Sequence, residues 1–545
     1  MADILGISVT YRAKRSRGYG LVAALAIAGT VSGCVTTGNG TSSADGGDDN
    51  PCSVSSSKYI GAAVGAIAVG TLAYFLSGRK AAPAAVAAVG GGAAGYVIGK
   101  DIDDRRCQQW KIAQANRVTV KFDDVVVQST NSQGQEQNVR IGQVSTWEGV
   151  EHFEPGSAKL TPQAEQYFRA VAETYVNTNP PQNLSPQDRQ KWMEQHRDQR
   201  ILLVGHSDDT GSSEANAELS EARARAVGEV FRRQGFNPNR LYYQGAGEKY
   251  PIADNRTDDG RAKNRRVEIV EIQSEADLST YLQNRKPNAD FYRVDNSIET
   301  ASAQTGAIPG SASKGDEKPE AAPLKPVTQV ELPSKPVARP KAYEIDFGGV
   351  AADQSAGVTV AMLGGQHKGF TQSIASNLGI SSAFASDSVF QASCLADKPR
   401  VSGEVKRLSD GKEFDYKTTD YAPGLYDTSY GGMANGHLIG LSHVAVLKNE
   451  TTPVGKPKVV VYKRYKPTDR NKAPDVSLDT LVNVYPGNDA LLYRVFIDKG
   501  EAPIKCIDLV FPNAPPFGAK YGKVYYEHVG HDFAADFKPI PAKDK

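Results

Sequence analysis

Apolar and polar positions follow three rhythms along this chain. Residues 59–76 (YIGAAVGAIAVGTLAYFL) and 81–98 (AAPAAVAAVGGGAAGYVI) are nearly unbroken apolar runs rich in Gly and Ala, parted by Ser77-Gly78-Arg79-Lys80. Gly61 and Gly65 lie four apart, as do Gly91, Gly95 and Gly99. Small residues at that spacing let two helix backbones approach closely, so the pattern predicts a helical hairpin. Each run is just long enough to cross a thin hydrocarbon layer; a soluble, tightly packed hairpin fits the same rhythm.

From Asn116 the rhythm changes to alternation. Val118, Val120 and Phe122 alternate, an apolar run covers residues 125–127, residues 129–134 are turn-like, and residues 139–144 alternate again. A β-hairpin is expected there, leading into a further strand over residues 147–153. Thr161-Pro162 opens a helix with Pro in its first turn and apolar Ala164, Phe168, Val171 and Tyr175. Residues 178–199 are polar and Pro-containing, apart from a short helix over 187–196.

Residues 201–273 combine both rhythms. The run Ile201-Leu202-Leu203-Val204 reads as a buried strand and breaks at Gly205 into a polar loop carrying Asp208 and Asp209. An amphipathic pattern over 213–234 predicts a helix with an apolar ridge at Leu219, Ala222, Ala226 and Val230. Asn216, Ser220, Arg223 and Val227 share a neighbouring face. Gly235 suits the helix end. A strand over 241–244 follows, and a basic knot at residues 261–266 leads into a last strand with Val267, Ile269 and Ile272.

Prolines at 309, 319, 323, 326, 333, 336 and 340 mark residues 296–341 as an extended spacer. Thirty such residues reach about 90 Å, enough to hold a second domain apart. In residues 342–545 short apolar alternations recur at 358–363, 389–395, 438–447, 459–465, 481–485, 491–497, 507–511 and 524–526, punctuated by Gly, Pro, Asn and Asp. That spacing predicts an all-β sandwich or barrel.

Length and charge then bound the reading. At 545 residues the chain exceeds a single core. Its 63 basic and 62 acidic residues give a net charge of +1, so no global attraction to nucleic acid follows. Residues 1–20 are basic, 21–31 apolar, and Ser32-Gly33 small, as in a secretory signal. Val31-Ser32-Gly33-Cys34 resembles the lipobox of bacterial lipoproteins, which implies cleavage before Cys34 and its acylation. Val35, in place of Asp, implies sorting to the outer membrane by that resemblance. Residues 35–57 read as a flexible tether. In an oxidising compartment, Cys52 could pair with Cys107 and Cys394 with Cys506; free thiols remain the alternative.

Four blocks carry a second resemblance. They are Phe153-Glu154-Pro155-Gly156-Ser157-Ala158-Lys159-Leu160, then Gly205-His206-Ser207-Asp208 with Gly211, Asn216, Leu219-Ser220, Arg223-Ala224 and Val227, then Gly245-Ala246-Gly247-Glu248 with Pro251-Ile252-Ala253, and finally Asn264-Arg265-Arg266-Val267-Glu268. Their order and spacing resemble OmpA C-terminal domains, and the Gly/Ala hairpin looks like the glycine zippers that precede such domains in some envelope lipoproteins. Ser207 replaces the usual Thr, and residues 178–199 are longer than is common. The resemblance implies noncovalent binding of peptidoglycan at the diaminopimelate of its stem peptide. Asp208 would pair with the ligand's ammonium and Arg223 with its carboxylate, supported by Asn216, Ser207, Ser220 and Arg265.

No catalytic constellation, metal set or cofactor motif stands out. His437 and His443, and Glu527-His528-Val529-Gly530-His531-Asp532, read as surface residues of a strand region. The expected architecture is multidomain: signal peptide 1–33, tether 34–57, helical hairpin 58–107, β-hairpin lead-in 108–146, an α+β OmpA-like βαβαββ domain 147–273, extension and linker 274–341, and an all-β sandwich-like domain 342–545. The expected function is that of an outer-membrane lipoprotein and not an enzyme. Its partners would be peptidoglycan, membrane lipid through Cys34, and envelope proteins such as a secretion or conjugation apparatus through the C-terminal domain. A wall-targeted enzyme acting on envelope glycans through the C-terminal domain, and a pore of oligomerised hairpins, remain alternatives.

Overall fold

A computed structural model describes residues 51–52, 74–75, 93–130, 136–148, 152–176, 179–180, 182, 184–288, 291–292, 344–355, 357–358, 393–449, 451–466, 468, 472–487, 489–498 and 502–542. The signal, Cys34, the tether, most of the hairpin and the Pro-rich spacer lie outside them.

The first body is a seven-stranded sheet. Its strands are β1 (Tyr74–Phe75), β2 (Thr119–Thr130), β3 (Glu136–Glu148), β4 (Arg200–Gly205), β5 (Leu241–Gly245), β6 (Val267–Ile272) and, from far downstream, β8 (Lys406–Arg407), in the order β1-β2-β3-β6-β4-β5-β8. β4 and β5 are parallel, and β6 runs antiparallel between β3 and β4. Helices α1 (Ala93–Asn116), α2 (Pro162–Val176) and α4 (Ser213–Arg233) contribute to a core on one face, with Phe168, Val171, Leu203, Val227, Phe231 and Ile269. The opposite face packs Leu202, Val204, Tyr242 and Val270 under Leu278 and Leu282 of α6 (Glu275–Asn284), with Val405, Phe414 and Tyr416 beside them. Burial on both faces explains the unbroken apolar run in β4. Two further helices, α3 (Pro186–Asp198) and α5 (Asp258–Asn264), lie in connections.

Close approach decides which side of α4 faces inward. A Cβ added to Gly205 would sit 2.1 Å from the Ser220 carbonyl oxygen, and one on Gly245 would sit 2.2 Å from that of Ala217. Only small side chains fit such a contact, so Ala217, Ser220, Ala224 and Val227 are buried. The expected ridge is corrected accordingly. Ala222 is exposed and Leu219 and Ala226 are only partly buried, whereas the face shared by Asn216, Ser220 and Val227 is the inward one.

Other expectations are also corrected. Tyr74 and Phe75, expected in the first helical run, pair as a strand with Val125 and Val126. The second run ends inside α1, which continues as a polar helix to Asn116. Among the described residues, no helix is long and apolar enough to cross a membrane. Trp147 is the penultimate residue of β3 rather than the start of a new strand, and Phe153 makes only an isolated bridge with Leu160. A boundary at 146/147 therefore falls inside β3. Cys52 is joined to Cys107, and Cys394 to Cys506.

The second body is one continuous sheet rather than two stacked ones. β9 (Thr428–Ala434), β10 (His437–Val444), β11 (Lys458–Tyr462), β12 (Val476–Pro486), β13 (Ala490–Ile497), β14 (Cys506–Pro512), β15 (Tyr521–His528) and β16 (His531–Phe537) form an antiparallel meander. β7 (Val350–Ala351) flanks β16, and β17 (Ile540–Pro541), just beyond β16, pairs with β9. The sheet curls until its margins meet, and all eight meander strands feed one core containing Tyr430, Leu441, Val461, Val484, Tyr493, Phe511, Val524 and Phe537. Curling satisfies strand edges that a flat sheet would expose. Cys394 begins a 3-10 turn, not the end of a strand. His528 and His531 face each other across the Val529-Gly530 turn.

The segment that carries β8 links the two bodies: β8 pairs with β5, the Gly403 amide donates to the Gly245 carbonyl at 2.7 Å, and from the second body Asn449 Nδ2 donates to the Arg285 carbonyl at 3.0 Å. Within the barrel, Arg494 grips Asp508 through Nε at 2.8 Å and Nη2 at 3.1 Å, and reaches Asp397 through Nη1 at 3.0 Å. Arg400 holds the other Asp397 oxygen at 2.7 Å.

Two predictions follow from these contacts. Gly205→Ala or Gly245→Ala forces α4 off the sheet, and each should destabilise the first body by about 1–3 kcal/mol or more in urea denaturation. Asp397→Ala leaves two buried guanidiniums short of a carboxylate and should cost about 3–5 kcal/mol. Burial pushes the Asp397 carboxyl up, but Arg400 and Arg494 outweigh it and hold it at about 2. Its folded value is thus depressed. Its contribution of about 2 kcal/mol is present above pH 4 and lost as pH falls toward 2, a loss that acid titration of stability should show and that Asp397→Asn should abolish.

Candidate functional site

Three loops meet at one end of the first sheet. β4 and β5 are parallel and finish there, and β6 starts there. The Ser207 amide donates to the Gly247 carbonyl at 2.9 Å, and the His206 amide to the Arg266 carbonyl at 3.0 Å. Asn264 ties the loops further: its Oδ1 accepts from Ile252 N at 2.8 Å and Ala253 N at 3.1 Å. Beneath lies a buried charge set. Arg266 Nε donates to Glu268 Oε1 at 2.9 Å, and His206 Nε2 lies 3.2 Å from Glu268 Oε2. Burial, then the neighbouring Arg266, holds the His206 imidazole down at about 3, so it stays neutral.

Asp208 sits at the mouth. Its Oδ1 accepts from the Thr210 amide at 3.0 Å and from the Thr210 hydroxyl, and its Oδ2 pairs with Arg265 Nη1 at 2.6 Å. Burial raises the carboxyl, but the Thr210 and Arg265 hydrogen bonds prevail and lower it, so it is ionised at neutral pH. In this ligand-free arrangement Asp208 is held by Arg265 rather than by Arg223.

Arg223 projects from the third turn of α4 toward the block at residues 153–160. Its Nε donates to the Ser157 carbonyl at 3.1 Å, and its guanidinium carbon lies 5.1 Å from the Phe153 ring centroid. Both terminal nitrogens are left without a hydrogen-bond partner among the described residues. A guanidinium anchored by Nε and by a ring face presents Nη1 and Nη2 as a rigid fork, the geometry that grips a carboxylate bidentately. Burial, then repulsion from Arg265, lowers its basicity, with Asp208 opposing. The two guanidiniums and the carboxylate thus share one field.

The supporting residues divide. Asn216 Nδ2 donates to the Asp208 carbonyl at 3.3 Å and to Glu248 Oε2 at 2.7 Å, which makes it an orienter of the loop. Ser207 Oγ is buried with no hydrogen-bond partner among the described residues. Ser220 is fully engaged in structure: its hydroxyl donates to the Ala217 carbonyl at 2.9 Å and accepts from the Gly247 amide at 3.0 Å. Sequence reasoning gave no role to Glu248 or Thr210, although Glu248 stood in a quoted block. It had no signal for Lys398, whose Nζ lies 3.0 Å from Glu248 Oε1. Among the described residues no group of three or more His, Cys, Asp or Glu side chains is arranged to hold a metal ion.

A family model described as the OmpA family matches residues 152–265. Outer membrane protein A of Bordetella avium is 48% identical over 69 residues, 13% of this chain and 36% of that protein. The peptidoglycan-binding protein ArfA of Mycobacterium tuberculosis is 44% identical over 73 residues, 13% of this chain and 22% of that protein. The chain thus spans only about a third or less of these two relatives. The solved periplasmic domain of Helicobacter pylori MotB is 23% identical, with 28% of this chain and 93% of that one covered at a TM-score of 0.20. The matched residues contain the loop cluster around Asp208, α4 with Arg223, and the Asn264–Arg265 corner. Residues 152–265 are an OmpA C-terminal-like domain.

Proposed function

We propose that this protein grips peptidoglycan noncovalently at the loop cluster, and that it is an outer-membrane lipoprotein held to the membrane by acylated Cys34. The observation that carries the reading is the Arg223 fork, oriented by Ser157 and Phe153 and left open at Nη1 and Nη2 beside an ionised Asp208. A cation and an anion fixed side by side complement a zwitterion. The side-chain end of diaminopimelate is one, with an ammonium for Asp208 and a carboxylate for Arg223. Lysine, its counterpart in other walls, lacks that carboxylate. The family match over the same residues and the likeness to the peptidoglycan-binding protein ArfA support peptidoglycan as the ligand. The C-terminal barrel also serves a protein partner in the envelope.

Co-sedimentation of the mature protein with purified sacculi tests this. Arg223→Ala and Asp208→Ala should each weaken pelleting about tenfold to a hundredfold, since each removes a charge-assisted contact of roughly 1.5–3 kcal/mol. Arg223→Lys, which keeps charge but not the fork, should fall between. Sacculi built on diaminopimelate should bind and those built on lysine should not. Undiminished pelleting of both alanine variants, or equal binding to both sacculi, would sink the assignment.

A further inference from the structure

We propose that Lys398, supplied by the C-terminal body, is a positioning residue of the wall-binding site. Its ammonium fixes Glu248 and the Asp209 carbonyl, and through them the loop that presents Asp208. The inference rests on the reading of Asp208 and Arg223 as the ligand pair.

A short chain of contacts carries it. Lys398 Nζ lies 3.0 Å from Glu248 Oε1 and donates to the Asp209 carbonyl at 3.1 Å. Glu248 is 1% exposed and spends its other oxygen on Asn216 Nδ2 at 2.7 Å. Asn216 in turn donates to the Asp208 carbonyl at 3.3 Å. Lys398 thus touches the loop twice, directly at Asp209 and indirectly at Asp208. A buried carboxylate needs a compensating charge to stay ionised, and Lys398 supplies it. Burial holds the Glu248 carboxyl above its ordinary range, with Lys398 and then Asn216 opposing the rise.

The donor is itself held in place from both sides. The Lys398 carbonyl accepts from Asn483 Nδ2 of β12 at 2.8 Å and, within its own segment, from Arg400 Nη1 at 3.2 Å, and the Arg400 amide in turn donates to Asn483 Oδ1 at 2.8 Å. Its neighbours Asp397 and Arg400 are locked into the buried Arg494 network. Three residues on, the Val401 amide donates to Ser213 Oγ at 2.6 Å, in the first turn of α4. A lysine on a free segment would lose side-chain entropy for each such contact. One whose backbone is already fixed loses much less. The barrel therefore acts as the scaffold that orders the wall-binding loop, and Lys398 is the point of transmission. At 37% exposure, its side chain can be changed without opening a core.

The test uses the mature full-length protein in four forms: wild type, Lys398→Ala, Lys398→Arg and Asp208→Ala. Two readouts are needed, sacculus co-sedimentation and hydrogen exchange of the Thr210 amide, which reports the loop because it donates to Asp208 Oδ1. Lys398→Ala should weaken pelleting about tenfold, as expected for one lost charged contact, and should speed exchange at Thr210 while Leu203, inside β4, is unchanged. Lys398→Arg should restore both within about twofold. If Lys398→Ala pellets as well as wild type or better while Asp208→Ala fails, the positioning role is overturned and the wall-binding reading stands. Faster exchange at Leu203 as well as Thr210 would show a loss of global stability instead, and would also overturn it. If Asp208→Ala pellets normally, the site reading falls and this inference with it.

Discussion

The contact between α4 and the ends of β4 and β5 governs the end of the molecule that carries Asp208 and Arg223. Gly205 and Gly245 bring helix backbone within reach of strand backbone, closer than any Cβ permits. That approach sets the height of α4, and with it the position of Asn216 above the Asp208 loop and of Arg223 beside Ser157. It also explains the choice of residues on the helix. Ala217, Ser220 and Ala224 are small because nothing larger fits, and Ser220 bonds both α4 and the loop because its hydroxyl lies in the seam. The buried Glu268, Arg266 and His206 lie under the same end. Arg266 bonds one Glu268 oxygen and the His206 ring lies against the other, which keeps a charged pair beneath a charged mouth.

A second constraint is the open side of β5. A parallel strand with an unpaired edge exposes a row of backbone donors and acceptors. Here that edge is covered from within the chain, by Gly403, Lys406 and Leu408 pairing along residues 241–245. The same segment carries Val405 into the core beneath the sheet. The two bodies, expected to stand apart, share a sheet through β8. The barrel contributes rigidity to this joint through Asp397, Arg400, Arg494 and Asp508, four buried charges arranged so that each meets an opposite one.

How much of this was legible varies with the physics of each element. β4 announced itself because both of its faces are buried, and α4 because of its amphipathic pattern and Gly235, which adopts a left-handed turn at its end. The inward face of α4 was misread because hydrophobicity is a poor guide where backbone proximity, not apolar area, selects the residues. β9, with its Gly431-Gly432 pair, and β16, with Asp532 and Asp536, lack a clean alternation and went unseen. α5 was hidden because its Asp-Asp-Gly-Arg-Ala-Lys-Asn run is polar and short. Asp208, Arg223 and Asn216 were found through motif blocks. Lys398 could not have been, since no local pattern links a lysine to a glutamate so far upstream.

The strand at Lys406–Arg407 has a bearing on how the molecule assembles in time. The edge of β5 and part of the lower core are completed by residues that emerge long after Leu241 has been made. Until they arrive, a segment folding from its N-terminus carries an unpaired edge and an uncovered apolar face. Contacts of such sequence separation slow folding and lengthen exposure to misassociation. The OmpA C-terminal-like domain is therefore a late product of the chain, complete only once the C-terminal body has begun to form around the segment that joins them.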